Sequence, residues 1–317
     1  MENVGTVPNR AKGLVMVIVG ASLWGLSGTA AQVLFQEKHV SPEWLVIVRM
    51  VLSGLALLAL SFWKGMEPRA ILFDKQDRIG LLVFGIVGML GVQYTYFASI
   101  ATGNAATATL LQYLAPIYIV LYTIFREKVR PSSEVWIAIL FALFGTFLLI
   151  TNGSTDGLKV SVVSFIWGVL SGVTLAFYTL SSAQLLKRWP SMVVVGWGML
   201  IGGICMAVVA FPSGESVIIW GIDTLLLIIF VVLFGTLLAF LLFVESIRLL
   251  SPTESSLLSS VEPLSAVIAS IIFLNLTFGI FQVIGGLCII CTVCLLSLKK
   301  EKGKGNTPYN KDVSYEQ

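Results

Sequence analysis

Charge is what this sequence has least of. Only 12% of its 317 residues are Asp, Glu, Lys or Arg, while 57% are hydrophobic and the mean hydropathy is +0.93. A soluble domain carries about 25% charged residues. The deficit excludes one and requires long apolar runs, each near the ~20 residues that cross a ~30 Å hydrocarbon core. Histidine is scarcer still. The single one, His39, falls in a connection, and the five aspartates are read in connections or the C-terminal tail. With no HExxH and no convergent His, Asp or Ser group, the chain offers no catalytic constellation, metal or cofactor site. It also lacks the Gly-x-x-x-x-Gly-Lys-Ser/Thr loop that would cradle ATP.

Cysteine is limited to Cys205, Cys288, Cys291 and Cys294, all inside apolar runs, which argues against a disulfide framework. The spacing Cys288-x-x-Cys291-x-x-Cys294 has no His, Asp or Glu beside it and reads as helix packing or lipid contact. The net charge of +3 comes from basic connections, and no Lys/Arg surface is large enough for nucleic acid.

What is abundant is apolar sequence, divided by charge, Pro and Gly into ten runs. They cover approximately 13–35, 42–63, 78–101, 104–125, 134–151, 162–186, 190–211, 221–247, 254–274 and 279–298. The first is too long for a signal peptide core and reads as a retained helix. Connections of a few residues force neighbouring helices to run antiparallel. Seventeen of the twenty Lys and Arg fall on one side of this arrangement. Only Lys38 and Lys159 lie on the other, and Arg49 sits within a helix. The positive-inside rule therefore places both termini in the cytoplasm. Residues 1–12 read as a short cytoplasmic segment, and 299–317 as a basic, disordered cytoplasmic tail suited to anionic headgroups.

The two halves resemble each other. Gly20–Leu34 lies over Gly172–Leu186 at an offset of 152, with Gly20/Gly172, Leu23/Leu175, Ala31/Ala183, Gln32/Gln184 and Leu34/Leu186 identical. Tyr96–Pro116 lies over Phe243–Pro263 at an offset of 147, where Ser99/Ser246, Leu110/Leu257, Leu111/Leu258 and Pro116/Pro263 coincide. Five spans per half is an odd number, so the second half enters from the opposite face. The expected fold is an all-α integral membrane protein, with five-helix repeats over 13–151 and 162–298 in inverted topology. Many secondary transporters are built this way.

The sequence resembles the EamA-type family of the drug/metabolite transporter superfamily. The likeness rests on Trp24-Gly25, Arg49, GNAATATLLQYLAP leading to Pro116, Arg126-Glu127-Lys128, SPTESSLLSSVEPLSAVIASIIFLN and Gly285-Gly286. The resemblance implies a transporter that exports or exchanges amino acids or related small metabolites. One departure stands out: the family usually has Glu at the ends of helices 4 and 9. Glu127 fits the first, but Asn275 occupies the second, so a role carried by that second Glu does not transfer.

Polar side chains at membrane depth mark the expected cavity, because lipid-facing polar groups are costly. Thr109, Gln112, Tyr113 and Pro116 share a 100° arc of helix 4, and Ser256, Ser259, Ser260 and Pro263 repeat it in helix 9. Each proline frees a backbone carbonyl. The alternative is that the hydroxyls bond only to their own helices. Glu262 lies well inside helix 9, placed to accept and release a proton or to hold a substrate amine. Its alternative is a fixed pair with Arg49, which could itself grip a substrate carboxylate. Tyr94, Tyr113 and Tyr178 are deep enough to wall a pocket. Glu254 fits a capping box with Ser251, and Glu245 a local pair with Arg248; both read as structural. The rival functions are an intramembrane enzyme acting on lipid, a sensor, and a transporter of phosphorylated or nucleotide-type metabolites.

Overall fold

The computed structural model describes residues 7–127, 133–154, 159–210, 218–247, 249–250, 258–259 and 261–302. Helices make up the described chain: α1 (Val7–Gln36), α2 (Pro42–Trp63), α3 (Arg78–Ala101) and α4, split into Ala105–Gln112 and Ala115–Glu127. There follow α5 (Ser133–Thr151), α6 (Val162–Leu185), α7 (Ser191–Ala210), α8 (222–247), α9 (Val261–Leu274) and α10 (Ile280–Lys302). Seven are long and apolar enough to cross a membrane, and Trp136–Leu149, Val261–Leu274 and Ile280–Thr292 are shorter apolar stretches. Large apolar side chains such as Trp63, Leu140 and Ile272 stand exposed on the outside of the bundle, which suits a hydrocarbon surround.

Several boundaries differ from the sequence reading. Helix α1 is already formed at Val7, the first described residue, six residues before the expected start. Helix α10 continues to Lys302, past the expected end at 298. Asp223, expected in a connection, stands in the first turn of α8. Helix α4 is broken at Tyr113–Leu114, where Pro116 cannot supply the N–H that would close on the Gln112 carbonyl. Helix α9 shows the counterpart: Ser259 is a turn residue, and a fresh helix starts at Val261, two residues before Pro263.

A second matched irregularity is a π-helical stretch inside α3 (Phe84–Leu90) and another inside α8 (Phe230–Leu238). Shifting the first by the 147-residue offset lands on 231–237, inside the second. The wider turn is visible in the Thr236 hydroxyl, which donates to the Val231 carbonyl five residues back (2.8 Å).

Close contacts give the helix directions. Val51 meets Gly203, Gly54 meets Leu200 and Leu58 meets Gly196, so α2 and α7 run antiparallel. Likewise Thr292 reaches Ala138, Gly285 meets Gly145 and Gln282 reaches Leu149, so α5 and α10 are antiparallel. The first helix of each half packs on the third and fourth of the other. Gly20 lies against Ala239 of α8 and Gly25 against Glu262 of α9, while Thr174 of α6 meets Gly91 of α3 and Gly172 meets Leu111 of α4.

Ion pairs close both ends of the α2–α7 seam. At one end Arg188 binds Asp74 (2.7 Å) and Asp77 (2.6 Å), and the Trp189 indole donates to Asp77 (2.7 Å). At the other, Lys38 pairs with Asp223, the Ile219 N–H donates to the Lys38 carbonyl (3.0 Å), and Trp44 meets Trp220 edge-on. Lys38 and Arg188 are 150 residues apart, Asp77 and Asp223 are 146 apart, so the two latches are counterparts within the repeat.

Partial desolvation pushes the Asp74 carboxyl up. The N–H groups of Asp77 and Gln76 and the Arg188 guanidinium outweigh it and hold the carboxyl below its usual range. A depressed carboxyl contributes stability above its unfolded pKa and loses it as pH falls through the folded value. Asp74→Asn should therefore melt below the parent from pH 8 to 5, with the gap closing toward zero below about pH 4. Thermal unfolding of detergent-solubilised protein across that range checks it, and a gap that persists at low pH would count against an ionic latch.

Candidate functional site

The two helix breaks face each other. At the α4 break the Tyr113 hydroxyl donates to the Ser259 carbonyl (2.6 Å) and lies 3.1 Å from Glu262 Oε2. Ser259 is the turn residue where α9 is interrupted, and its carbonyl also accepts from the Glu262 N–H (2.9 Å). One phenolic proton cannot serve two acceptors at once. An ionised Glu262 therefore competes with Ser259 for that proton, whereas a neutral Glu262 can donate to the Tyr113 oxygen. The junction is sensitive to the protonation state of Glu262 and to anything that displaces it.

One helix turn away, the Thr109 hydroxyl donates to the Ala105 carbonyl (2.8 Å) and so accepts from the Tyr96 hydroxyl (2.8 Å). Tyr96 lies within electrostatic reach of both Glu262 and Arg49. Arg49 is only 6% exposed, its guanidinium stands 4.5 Å over the Phe97 ring, and its Nε has no hydrogen-bond partner. No ion pair joins Arg49 to Glu262, so the fixed pairing weighed from the sequence is not what the structure holds. A cation and a carboxylate instead both act electrostatically on one buried tyrosine.

Glycines of α1 make room for this cluster. A Cβ on Gly25 would stand 2.5 Å from the Glu262 carbonyl and 2.8 Å from the Ala266 nitrogen; one on Gly28 would stand 2.5 Å from the Tyr96 hydroxyl. The neighbouring Trp24 packs its ring 5.1 Å from that of Phe243. Further along α1, Gln32 accepts from the Ala105 N–H (2.9 Å) and donates to Gln36, which donates to the Gly103 carbonyl (2.7 Å). The start of α4 is thereby tied to α1.

Of the residues singled out in the sequence, Thr109, Tyr113, Ser259, Glu262 and Arg49 converge here, and Gln112 is buried beside the break. Tyr94 points elsewhere, donating to Glu43 (3.0 Å) with its ring edge-on to Trp167. Tyr178 packs on Phe84 and Gly88. Ser256, Ser260, the Glu254 cap and Arg248 lie outside the described residues. Tyr96 and the Gln32–Gln36 relay went unrecognised in the sequence. Tyr94 and Tyr96 point about 200° apart on a helix, so only one can face the centre, and hydropathy does not choose between them. Gln32 did carry a signal, since it matches Gln184 across the repeat.

At the end of α9, Asn275 has φ +50°, and the Leu276 N–H returns to the Ser270 carbonyl (3.2 Å). Asn tolerates this left-handed cap where Glu would be strained.

The EamA-like transporter family model matches residues 11–151 and again 163–298. Over 291 residues the chain is 35% identical to the uncharacterised inner membrane transporter YicL of Salmonella typhimurium, covering 92% of this chain and 97% of that protein. It is 26% identical to the threonine/homoserine exporter RhtA of Escherichia coli K12, covering 91% and 92%. A crystal structure of a protein at 18% identity superposes with a TM-score of 0.62 over 94% of this chain and 99% of that one, a likeness of fold. The chain is accordingly a multi-pass protein of the cell membrane.

Gly25→Ala should destabilise the protein by about 1–3 kcal/mol, the cost of overpacking against backbone. Gly80→Ala, whose Cβ would meet nothing nearer than 3.7 Å, should change it by less than about 0.5 kcal/mol. Chemical denaturation in detergent compares the two, and equal effects would remove the argument for a tight α1–α9 contact.

Proposed function

The chain belongs to the EamA-like transporter family, and on that footing we propose that it is a secondary transporter exporting or exchanging amino acids or related small metabolites. Ten spans form two five-span repeats of opposite orientation, 13–151 and 162–298, with both termini in the cytoplasm. The one-sided distribution of Lys and Arg supports that orientation. The antiparallel α2–α7 and α5–α10 pairs, the exchanged packing of first helices and the matched π stretches support the inverted repeat.

The observation that carries the substrate class is a buried Arg49 and a part-buried Glu262 that both lie within electrostatic reach of Tyr96, with Glu262 3.1 Å from the Tyr113 hydroxyl. A zwitterionic amino acid presents a carboxylate and an ammonium, and these two side chains complement both. Arg49 takes the carboxylate. Glu262 takes the ammonium or, in its absence, a proton. Thr109, Gln112 and Tyr113 stand beside the cluster at the α4 break. Arrival of an ammonium at Glu262 removes it from competition for the Tyr113 proton and so alters the junction between the two broken helices. The relative at 26% identity named for threonine and homoserine export favours the same substrate class. The latch at either end of the α2–α7 seam supports alternating access, since an opening at one face strains the pair at that face alone.

Counterflow in proteoliposomes, with an amino-acid and metabolite mixture read by mass spectrometry, tests the reading. Saturable exchange of amino acids is expected. Arg49→Gln should raise KM about tenfold or more, the worth of a lost charge-assisted hydrogen bond. Glu262→Gln should abolish flux driven by a pH gradient while equilibrium exchange persists at reduced affinity. Protein shown to be folded that exchanges no amino acid would sink the proposal and shift weight to phosphorylated or lipid-like substrates.

A further inference from the structure

A cavity of about 490 Å³ opens where the α3–α4, α5–α6 and α9–α10 connections meet, lined by Asn104, Asn152, Lys159, Thr277, Gly279 and Gln282 among others. It lies at the outer face in the orientation proposed above and is separate from the Arg49–Glu262 cluster. The wall consumes its own side-chain acceptors. Asn104 Oδ1 accepts from the Thr107 N–H (2.8 Å), Asn152 Oδ1 from the Gln282 N–H (3.3 Å) and Gln282 Oε1 from the Gly279 N–H (3.0 Å). The Gln282 amide nitrogen is committed as well, donating to the Leu149 carbonyl (3.3 Å). What remains among these side chains is rich in donors: the Asn104 and Asn152 amide nitrogens, the Thr277 hydroxyl, which can also accept, and the Lys159 ammonium. Among the described residues no Asp or Glu lines the cavity. Lys38, the other Lys or Arg on this face, is committed to Asp223, and Lys159 makes no ion pair among the described residues.

A concave, donor-rich site with one uncommitted cation selects a small anion that accepts several hydrogen bonds. We propose that this cavity is a second binding site of the transporter, a vestibule on the outer face for small carboxylates, the carboxylate of the carried amino acid included. The inference rests on the transporter reading for its biological sense, but its chemistry is independent of the central cluster. Asn152 has φ +51° at the end of α5, and a Cβ on Gly279 would collide with its amide, so the two sides of the wall approach closely.

Ligand-observed NMR on the full chain in nanodiscs tests it, with L-threonine, L-threoninamide and acetate as probes. The background is the double variant Arg49→Gln/Glu262→Gln, in which both charges proposed to hold substrate at the central site are removed. L-threonine should still bind, acetate should displace it, and L-threoninamide, which lacks the carboxylate, should not bind. Adding Lys159→Gln should weaken L-threonine binding about tenfold or more, and Lys159→Arg should restore it. Lys159 is exposed, so neither change threatens folding. Binding within twofold of the parent in Lys159→Gln, equal binding of L-threoninamide, or failure of acetate to compete would each overturn the proposal. Lys159-dependent binding in a protein that shows no counterflow would uphold the vestibule and count against the amino-acid transport reading.

Discussion

A carbonyl released inside a bilayer has no water to turn to, so a broken helix survives there only if something else supplies the missing donor. Pro116 and Pro263 release carbonyls at positions matched by the repeat, in two helices from opposite halves of the chain. The Tyr113 hydroxyl, standing at one break, donates to the Ser259 carbonyl at the other. The α4 break thus helps to satisfy the break in α9. The rest of the interior is arranged around that contact: glycines in α1 admit the α9 backbone and the Tyr96 hydroxyl, Thr109 orients Tyr96, and Glu262 shares the hydroxyl that bridges the breaks.

The same economy governs the charges. Burying a guanidinium or a carboxylate is costly, and a direct pair between them offsets the cost only with good geometry. Arg49 and Glu262 forgo that pair. Arg49 rests on the face of Phe97, a cation–π contact worth about 2 kcal/mol when desolvated, and Glu262 leans on Tyr113. Neither arrangement satisfies its charge fully, which leaves both groups open to a better partner. At the two ends of the seam the opposite choice is made: Arg188 and Lys38 take carboxylates directly, in water, where each pair is individually weak but readily broken and remade.

The large elements were legible in the sequence because hydropathy and proline write them plainly. Pro116 and Pro263 marked freed carbonyls at matched positions, though not the breaks themselves, and the repeat alignment set Gln112 and Tyr113 against Ser259 and Ser260. Glu262 and Arg49 stood out because ionisable residues are so few. What remained hidden depends on rotation and on distant pairing. Tyr94 and Tyr96 have the same side chain two positions apart, and only the packing of Gly28 and Thr109 decides which enters the centre. The latches join residues 114 and 185 positions apart, a coupling that local periodicity does not encode. The π stretches are invisible because their residues, FGIVGML and FVVLFGTLL, would read equally well as ordinary helix.

Those π stretches also store angular slack. A wide turn accommodates one residue more than an α-turn, and each residue in an α-helix accounts for about 100° of rotation and 1.5 Å of rise. Were the extra residue of α3 passed along toward Ala101, the segment between would swing Tyr96 off Thr109 and bring a different face toward Arg49. The matching stretch in α8 offers the same freedom to the half that runs the other way. A helix can in this manner exchange the side chains it shows to the interior by screw motion alone, without tilting and without exposing a single backbone group to lipid.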